Sequence, residues 1–398
     1  MVASANEKPS MNLREILPLA GIAVAAFIFN TSEFMPVALL TDIATSFSVS
    51  EAQAGLIISV YAWMVMLLSL PLMILASRVE FKRLLLVVIA VFLVGQILSA
   101  VSATYEMLMA SRICVACAHA VFWSIAAPVA IRVVSEDHRH AAMGVVVMGS
   151  SVALIAGLPL GRVIGLVLGW RMTFACVAAV SALVLIYIKV FLPQISATKP
   201  FSVKELPDLI RVPALQGIYI FVALIITGYY LCYSYIEPFL LQTAALEETV
   251  VTGVIAVFGV AGIAGSMLFS KYYAHLRLKF LFAAAVGILI ALCLLDASSN
   301  FVVAVLIICG VLGLCATALN VALQSEVIRN SSLDTQAVAT SIYSGIFNLG
   351  IGCGSALGGI VVSIFGIETI GFMGGVIVAL ALAYYMVALR SRLRISRI

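Results

Sequence analysis

Charge is what this 398-residue sequence lacks. Only 40 residues, 22 basic and 18 acidic, carry a formal charge, about 10% of the chain, whereas 64% are hydrophobic. Soluble domains are about one quarter charged. A chain of this length would otherwise suggest two or three soluble domains, but it has too few charges to cover their surfaces. The composition excludes a soluble enzyme, a secreted disulfide scaffold, a nucleic-acid-binding protein and a disordered chain, and it leaves a polytopic membrane protein.

Recognisable cofactor and metal motifs are also missing. There is no GxxxxGK[ST] phosphate-binding loop, which excludes ATP-driven chemistry within this chain. All eight cysteines lie inside apolar stretches, where a thiol behaves as a small hydrophobic side chain. We interpret even Cys114-x-x-Cys117, with His119 two residues later, as packing residues. The sequence therefore predicts no cofactor, no metal site and no catalytic constellation.

What is present is a series of long apolar runs. A membrane-spanning helix needs about 20 mostly apolar residues, and twelve runs satisfy this length. Runs that are continuously apolar indicate helices, because the strands of a membrane barrel would alternate. We therefore predict an all-α membrane protein with twelve spans, at 15–40, 52–76, 84–104, 106–131, 141–167, 170–192, 214–241, 249–270, 280–297, 300–325, 336–363 and 367–389.

The loops between these spans alternate in charge. One set carries 19 of the 22 basic residues and defines what we call the basic side, whereas the other set holds a single basic residue. The opposite, acidic side carries Arg171 together with Asp42, Glu51, Glu106, Glu247, Glu248, Asp296 and Glu368. Basic loops remain in the cytoplasm. The pattern predicts that the basic side and both termini are cytoplasmic.

The chain divides into two halves that resemble each other. A polar connector at 193–213, with prolines at both ends and room for a short interfacial helix, separates a bundle at 1–192 from one at 214–398. Glycines recur in the two halves at a displacement of 197: Gly157, Gly161 and Gly169 match Gly354, Gly358 and Gly366. Two like-oriented six-helix bundles are typical of the major facilitator fold, whose halves rock about a central site.

Ionisable residues inside the spans are candidates for function, because they are costly to bury in lipid. Glu33 and Arg112 lie about 10 Å below the acidic surface at 1.5 Å per residue, so we expect them to pair. His119 lies about 19 Å deep and changes charge near neutral pH. Glu33 and His119 are the candidate proton carriers. The alternative interpretation is an architectural ion pair and a neutral, hydrogen-bonded histidine.

Other polar and aromatic residues in the spans extend this candidate site. Amides and flat aromatic faces suit a substrate with many hydroxyl groups. Several tyrosines qualify, among them Tyr229, Tyr230 and Tyr233, and we select two. The predicted substrate-binding set is Asn30, Glu33, Tyr61, His119, Trp123, Tyr235 and Asn348. We assign charge pairing or gating to Arg112, Arg162 and Glu237, although Glu237 is equally consistent with a solvated helix end.

Several segments are similar to a known family. They read FIFNTSEFMPVALL, YAWMVMLLSLP, SRICVACAHAVFWSIAAP, GLPLGRVIGLVLGWRMTF, YSYIEPF and SGIFNLGIGCGSALGG. Together they resemble the SotB-type bacterial sugar efflux transporters, in the drug:proton antiporter branch of the major facilitator superfamily. The resemblance implies a proton-driven exporter of small sugars such as arabinose, or of galactoside-like compounds, in the bacterial inner membrane. It also implies that Glu33, Arg112, His119 and Asn348 are polar cavity positions, and that Gly157, Pro159 and Gly161 belong to the antiporter motif.

The loop after the second span departs from the superfamily pattern. It reads SRVEFKR, with Ser77 where an aspartate is usual and Glu80 where a glycine is usual. The usual charge relay that closes the cytoplasmic side is therefore in doubt. Glu80 as its substitute is a hypothesis.

The sequence leaves other functions open. A drug or nucleobase exporter would have a cavity dominated by apolar side chains, and residues alone do not distinguish export from sugar–proton uptake. An intramembrane enzyme would need paired catalytic groups at one depth, which are not apparent. We expect a functional monomer whose partners are a small sugar, protons and lipid, with no nucleic acid.

Overall fold

The computed structural model describes residues 11–76, 79–196, 211–332 and 335–395, and this part of the chain is helical, without strands. The α-helices are α1 Leu13–Ala38, α2 Leu40–Phe47, α3 Glu51–Ala76, α4 Phe81–Ala100, α5 Tyr105–Arg132, α6 Arg139–Val152, α7 Leu158–Leu168, α8 Trp170–Phe191, α9 Pro213–Tyr233, α10 Ile236–Gln242, α11 Glu248–Leu294, α12 Val302–Arg329, α13 Gln336–Phe365, α14 Ile370–Tyr384 and α15 Arg390–Ile395. Single π-helical turns, Ala153–Gly157 and Tyr385–Leu389, join α6 to α7 and α14 to α15.

The predicted spans all fall on these helices. Eleven helical stretches of the described chain are long and apolar enough to cross a membrane. One of them, α11, has 47 residues and is about 70 Å long, more than twice the roughly 30 Å of hydrocarbon. Its backbone leaves helical geometry at Leu276, with φ −118° and ψ 18°. The kink separates spans eight and nine, so the protein is a multi-pass membrane protein with the twelve predicted spans.

The internal repeat inferred from the glycines is present in the backbone. Gly169 ends span five with a φ of 88°, and Gly366 ends span eleven with a φ of 92°. This left-handed region is readily open only to glycine, and it lets the chain turn directly into the next span. Span five packs on span one where Gly157 meets Thr31, and span eleven packs on span seven where Gly354 meets Thr227. The same helix pair thus forms in each half.

The two halves contact each other between the middle of the membrane and the acidic side. Ser355 in span eleven donates its hydroxyl to the carbonyl oxygen of Gly55 in span two, at 3.1 Å. In span eight, a Cβ added to Gly259 would lie 2.6 Å from the carbonyl oxygen of Leu154 in span five. A missing side chain therefore permits backbone-to-backbone packing here. These contacts close the bundle toward the acidic side.

On the basic side, Glu80 caps a helix. Its carboxylate accepts hydrogen bonds from the backbone N–H groups of Lys82 and Arg83 at the start of α4, and from Ile195 N–H at 2.9 Å. Partial burial opposes ionisation, but these three N–H groups together hold the pKa of Glu80 below its usual value. Among the described residues, the hydrogen bonds of Glu80 stay within the first half and the start of the connector. They give no support to the hypothesis that it relays charge between the halves.

The start of the connector is held against the first half. Phe81 N–H donates to the Ile195 carbonyl at 3.0 Å, and Arg132 donates to the Ser196 carbonyl at 2.9 Å. Residues 197–210 hold most of the connector, in which the sequence leaves room for a short interfacial helix, and Ser77 and Arg78 precede α4. All of these lie outside the residues that the structure describes.

Candidate functional site

Spans one and four bring two candidate proton carriers together. Glu33 Oε2 lies 3.6 Å from His119 Nε2, and their side chains are 12% and 4% exposed. At this distance the contact is an electrostatic one, longer than an ordinary hydrogen bond. The sequence predicted both residues as candidates, but it predicted a different partner for Glu33.

Arg112 does not pair with the Glu33 carboxylate. Its guanidinium donates to the Ser32 hydroxyl at 3.1 Å and to the backbone carbonyl of Glu33 at 3.4 Å. Arg112 therefore contacts Glu33 through its backbone carbonyl, and the expected ion pair with the Glu33 carboxylate is not formed. Side chains on a helix tilt toward its N-terminus, which is on the basic side for span one and on the acidic side for span four. Glu33 thus leans toward the deeper His119, and Arg112 leans away.

A rigid aromatic and polar shell supports this pair. The Phe29 ring is stacked between Phe92 and Phe122, with centroid separations of 3.9 and 4.1 Å. Behind Arg112, the Gln96 amide donates to the Ser32 hydroxyl at 2.5 Å. We did not predict Ser32 or Gln96. The detectable signal was an amide within the otherwise apolar third span.

Tyr61 contacts both Arg112 and His119. Its ring centroid is 4.4 Å from the guanidinium carbon of Arg112 and 5.5 Å from the His119 ring centroid. A guanidinium over an aromatic face is attracted by the ring quadrupole. The ring therefore holds Arg112 in place and forms one wall beside His119, whereas Trp123, 6.0 Å from His119, lies on the next turn of span four.

Several buried polar atoms of this cluster have no hydrogen-bond partner among the residues that the structure describes. They are Tyr61 Oη, Gln96 Oε1, Arg112 Nε and His119 Nδ1. A buried donor or acceptor without a partner costs about 1–3 kcal/mol. The cluster therefore has unused capacity to donate and accept hydrogen bonds at the level of Glu33.

The two predicted asparagines, Asn30 and Asn348, differ in what their side chains contact. The Asn30 amide donates to the Ser150 carbonyl at 3.1 Å and ties span one to span five. The Asn348 amide donates to the Ser344 carbonyl one turn earlier in span eleven, at 3.0 Å. Its Oδ1 has no protein partner. Asn348 therefore retains a free acceptor, whereas Asn30 is engaged between helices.

Tyr235 lies apart from this cluster. It is fully buried at the contact between the halves, where its hydroxyl donates to the Ser355 carbonyl at 3.0 Å and its ring packs against Gly55. A different tyrosine interacts electrostatically with Glu33 across the boundary between the halves, namely Tyr230. Tyr230 belongs to an aromatic group with Tyr229 and Tyr233, at centroid separations of 5.2 and 5.5 Å.

A second charged group, the acidic-side cluster, joins the halves. Arg162 of span five is fully buried and pairs with Glu237 at 2.9 Å, with Glu248 and with the Ala38 carbonyl. Glu237 also accepts hydrogen bonds from the Thr41 hydroxyl at 2.8 Å and from its N–H at 3.1 Å. Glu237 is thus a buried inter-half ion-pair residue, and the interpretation as a solvated helix end is wrong.

A third group, the basic-side cluster, lies within the second half. Two guanidinium nitrogens of Arg277 donate to the two carboxylate oxygens of Glu326, and the Tyr273 hydroxyl donates to the same carboxylate at 2.5 Å. The Asn330 amide donates to the Glu326 carbonyl at 2.7 Å. Sequence reasoning missed Glu326 because it directly follows the predicted end of span ten. This cluster flanks the kink at Leu276 and ties the end of span ten to the helix segment between spans eight and nine.

These features of the fold and the site define a class of protein. A bundle of two repeated halves, with buried ionisable groups at their junction and none of the motifs of an ATP-driven pump, is the architecture of a secondary transporter. Residues 22–332 match the model of the Major Facilitator Superfamily. The chain belongs to the Major Facilitator Superfamily.

Relatives at about 40% identity carry a common name. The chain is 40% identical over 376 residues to the "Probable sugar efflux transporter" of Mannheimia succiniciproducens, covering 94% of both chains. It is 42% identical over 360 residues to the protein of the same name from Helicobacter pylori, covering 90% of this chain and 92% of the other. The similarity thus extends over nearly the whole length of each protein.

Solved structures share the fold at lower identity. A bacterial homolog of the human lysosomal transporter Spinster, crystallised inward-facing and unoccupied, has a TM-score of 0.82 and 16% identity, covering 97% of this chain and 99% of that chain. A POT family transporter in complex with 5-aminolevulinic acid has a TM-score of 0.77 and 12% identity, covering 94% and 96%. These likenesses concern the fold alone.

Proposed function

We propose that the protein exports small sugars across the bacterial inner membrane in exchange for protons, acting as a monomer with its basic side and termini in the cytoplasm. It is a transporter and not an enzyme. The name shared by its relatives supports sugar efflux, and the excess of basic residues on one side supports the orientation. The chain divides, in this proposal, into bundles at 1–192 and 214–398 joined by the connector at 193–213.

The observation that carries this proposal is the Glu33–His119 pair, surrounded by buried polar atoms without protein partners. A sugar presents hydroxyl groups that donate and accept hydrogen bonds, together with apolar ring faces. Tyr61 Oη, His119 Nδ1 and Asn348 Oδ1 provide matching groups, and the Tyr61 and Trp123 rings provide flat surfaces. Hydroxyl binding would satisfy atoms that are otherwise costly to bury.

Proton coupling follows from competition for one carboxylate. An ionised Glu33 accepts hydrogen bonds from sugar hydroxyls and attracts a protonated His119. A neutral Glu33 does neither as strongly. Sugar and proton therefore disfavour each other at the same site, and a reciprocal coupling free energy of this sign drives exchange. A proton entering from the acidic side would displace sugar outward.

Alternating access assigns a gating role to the acidic-side cluster. Arg162, Glu237 and Thr41 join the two halves on that side, so an outward-open state must separate them. The halves then rock about the central site. The ion pairs and hydrogen bonds of this cluster stabilise the state that is closed on the acidic side, and they oppose release of sugar there until the halves have separated.

Counterflow in proteoliposomes tests this function. In separate arms, vesicles loaded with unlabelled arabinose, a galactoside or an unrelated drug are diluted into the same compound in labelled form. We expect accumulation of a sugar and, with an imposed pH gradient, sugar movement opposite to the proton. Accumulation of the drug alone would overturn the sugar assignment. Sugar movement in the same direction as the proton would overturn export in favour of uptake.

A drug or nucleobase exporter is the second candidate, because the second half contributes an aromatic group. Tyr233 packs edge-on against Phe258 at 5.3 Å, and Tyr230 against Phe347 at 6.4 Å. A flat apolar substrate would stack on these rings. The drug arm of the same experiment distinguishes this candidate from sugar export.

A further inference from the structure

The last span ends on the basic side in a row of arginines that differ in their surroundings. Arg390, Arg392 and Arg394 follow the π-helical turn Tyr385–Leu389. Arg392 is half-buried and donates to the Pro213 carbonyl at 3.3 Å. Arg390 and Arg394 are exposed and, within the described chain, form neither a hydrogen bond nor an ion pair. The same short helix therefore has one anchored arginine and two free ones.

The anchoring determines which way the free arginines face. Leu393 is fully buried, and its carbonyl accepts a hydrogen bond from Arg277 at 3.3 Å. This bond and the Arg392–Pro213 bond hold one face of α15 against the protein. Arg390 and Arg394 are four residues apart, so they are neighbours on the opposite face. Together with Met386 and Ser391 they line a groove on the molecular surface.

An apolar surface leads directly into this groove. Met386 is 55% exposed and Val387 is 83% exposed. Leu380, which lies on the same span but farther from the basic side, is 59% exposed. In a membrane-spanning helix, such side chains face lipid. The two free guanidinium groups therefore lie where the hydrocarbon region meets the headgroups of the leaflet on the basic side. Positive charge in this position attracts anionic lipid.

We propose that Arg390 and Arg394 form a binding site for the phosphate of an anionic phospholipid, whose acyl chain lies along Leu380, Met386 and Val387. Two guanidinium groups on adjacent turns chelate one phosphodiester, because each presents a planar fork of N–H donors that matches phosphate oxygens. The surroundings favour a lipid over a free phosphate, since the apolar surface continues from the charged groove into the hydrocarbon region.

The test is lipid binding to the purified full-length protein, measured by native mass spectrometry during titration with phosphatidylglycerol or phosphatidylcholine. We expect phosphatidylglycerol to bind more tightly. Each basic residue near an anionic surface contributes roughly a factor of five in affinity. The Arg390→Gln/Arg394→Gln double variant should therefore bind phosphatidylglycerol about 25-fold more weakly, with an unchanged melting temperature because both side chains are exposed.

Arg392→Gln is the matched control, because it removes the same charge from the same helix on the anchored face. Its affinity for phosphatidylglycerol should stay at the wild-type value. The proposal is overturned if phosphatidylcholine binds as tightly as phosphatidylglycerol, or if Arg392→Gln weakens binding as much as the double variant does. Displacement of the lipid by millimolar inorganic phosphate would overturn the lipid assignment in favour of a free-anion site.

Discussion

The two halves share one backbone plan but place their charges differently. Span one matches span seven at a displacement of 196, which pairs Thr31 with Thr227, and span four matches span ten at 198, which pairs Cys117 with Cys315. The counterparts of Ser32, Glu33, Arg112 and His119 are then Gly228, Tyr229, Gly310 and Thr317. The first half thus holds ionisable groups deep within the membrane. The buried charges of the second half lie toward its two ends, at Glu237 and at the Arg277–Glu326 pair.

The two halves therefore use their buried ionisable residues in two different ways. The Glu33–His119 contact is long and surrounded by polar atoms without partners, so its protonation can change. The Glu326 carboxylate receives hydrogen bonds from Arg277 and Tyr273, and such a satisfied pair is costly to disturb. We infer that the first half carries the proton, whereas the second half supplies aromatic surface and fixed structural charges.

Neutralising Glu33 should have the largest effect on transport. Glu33→Gln keeps the shape of the side chain but cannot take up a proton, so sugar efflux driven by a pH gradient should fall to background. Exchange of labelled for unlabelled sugar needs no net proton movement and should persist. Both rates are measured in proteoliposomes. If pH-driven efflux is undiminished in both Glu33→Gln and His119→Gln, the assignment of coupling to this pair fails.

Replacing His119 should mainly weaken substrate binding. His119→Gln retains hydrogen-bonding atoms but loses the imidazole that faces Glu33, and a hydrogen bond to a charged group contributes about 1.5–3 kcal/mol. We expect KM to rise by about tenfold or more. Thr317→Val, at the matching position of the second half, serves as the control and should leave KM unchanged. Equal effects of the two substitutions would remove the proposed asymmetry.

Breaking the acidic-side cluster should open the junction between the halves. Arg162→Gln leaves the buried Glu237 without its cation, which costs the closed state about 3 kcal/mol. A cysteine introduced in place of the buried Ser355 should then react faster with a membrane-impermeant maleimide. Arg171→Gln removes a charge on the same side within the first half and should leave the labelling rate unchanged. An unaltered rate in Arg162→Gln would argue against a gate here.

Removing Arg277 should affect stability rather than coupling. Arg277→Gln leaves the fully buried Glu326 uncompensated and should destabilise the second half by about 3 kcal/mol, seen as a lower melting temperature. Efflux per folded molecule should keep its dependence on pH. The double variant Arg277→Met/Glu326→Leu should recover much of the stability, because it leaves no unpaired charge. A changed pH dependence would show that the pair takes part in coupling.

Glu80 should give the smallest effect. Glu80→Gln weakens a helix cap and the bond to Ile195, so we expect a loss below about 1 kcal/mol at neutral pH, because the group is partly exposed. The folded pKa lies below the ordinary value of 4.5. The stabilisation is therefore complete above pH 4.5 and is lost as the pH falls through the folded pKa. Melting curves of both proteins should converge in acid. Unchanged transport would exclude Glu80 from a charge relay.

Much of the fold was predictable because it depends on local composition. Twelve apolar runs, alternating loop charges and repeated glycines predicted the spans, and their positions required no knowledge of contacts. The continuous helix across spans eight and nine was not predictable, because the polar residues near Leu276 indicate a loop. Their backbone stays helical on either side of one kinked residue.

The candidate site was predictable by residue but not by partner. Burial cost singled out Glu33, Arg112 and His119, since an ionisable side chain in lipid is rare. Depth along the helix then suggested Glu33 and Arg112 as a pair. A depth counted from the position along the helix leaves out the direction of the side chain. Side chains tilt toward the N-terminus of their helix, so they tilt in opposite directions on antiparallel spans. The position of Tyr235 at the contact between the halves was not predictable for a similar reason, because spacing along one span does not reveal which neighbour a ring meets.

The sequence by itself determined that this protein spans the membrane, that its halves repeat and which few ionisable residues are buried. The spans and the buried ionisable residues follow from the cost of placing polar groups in hydrocarbon, which is a property of single segments, and the repeat follows from the recurring glycines. Only the tertiary structure decided that Glu33 meets His119, that Arg162 joins the halves and that Arg390 and Arg394 have no hydrogen-bond or ion-pair partner within the described chain. Those outcomes depend on the direction of side chains between helices far apart in the chain.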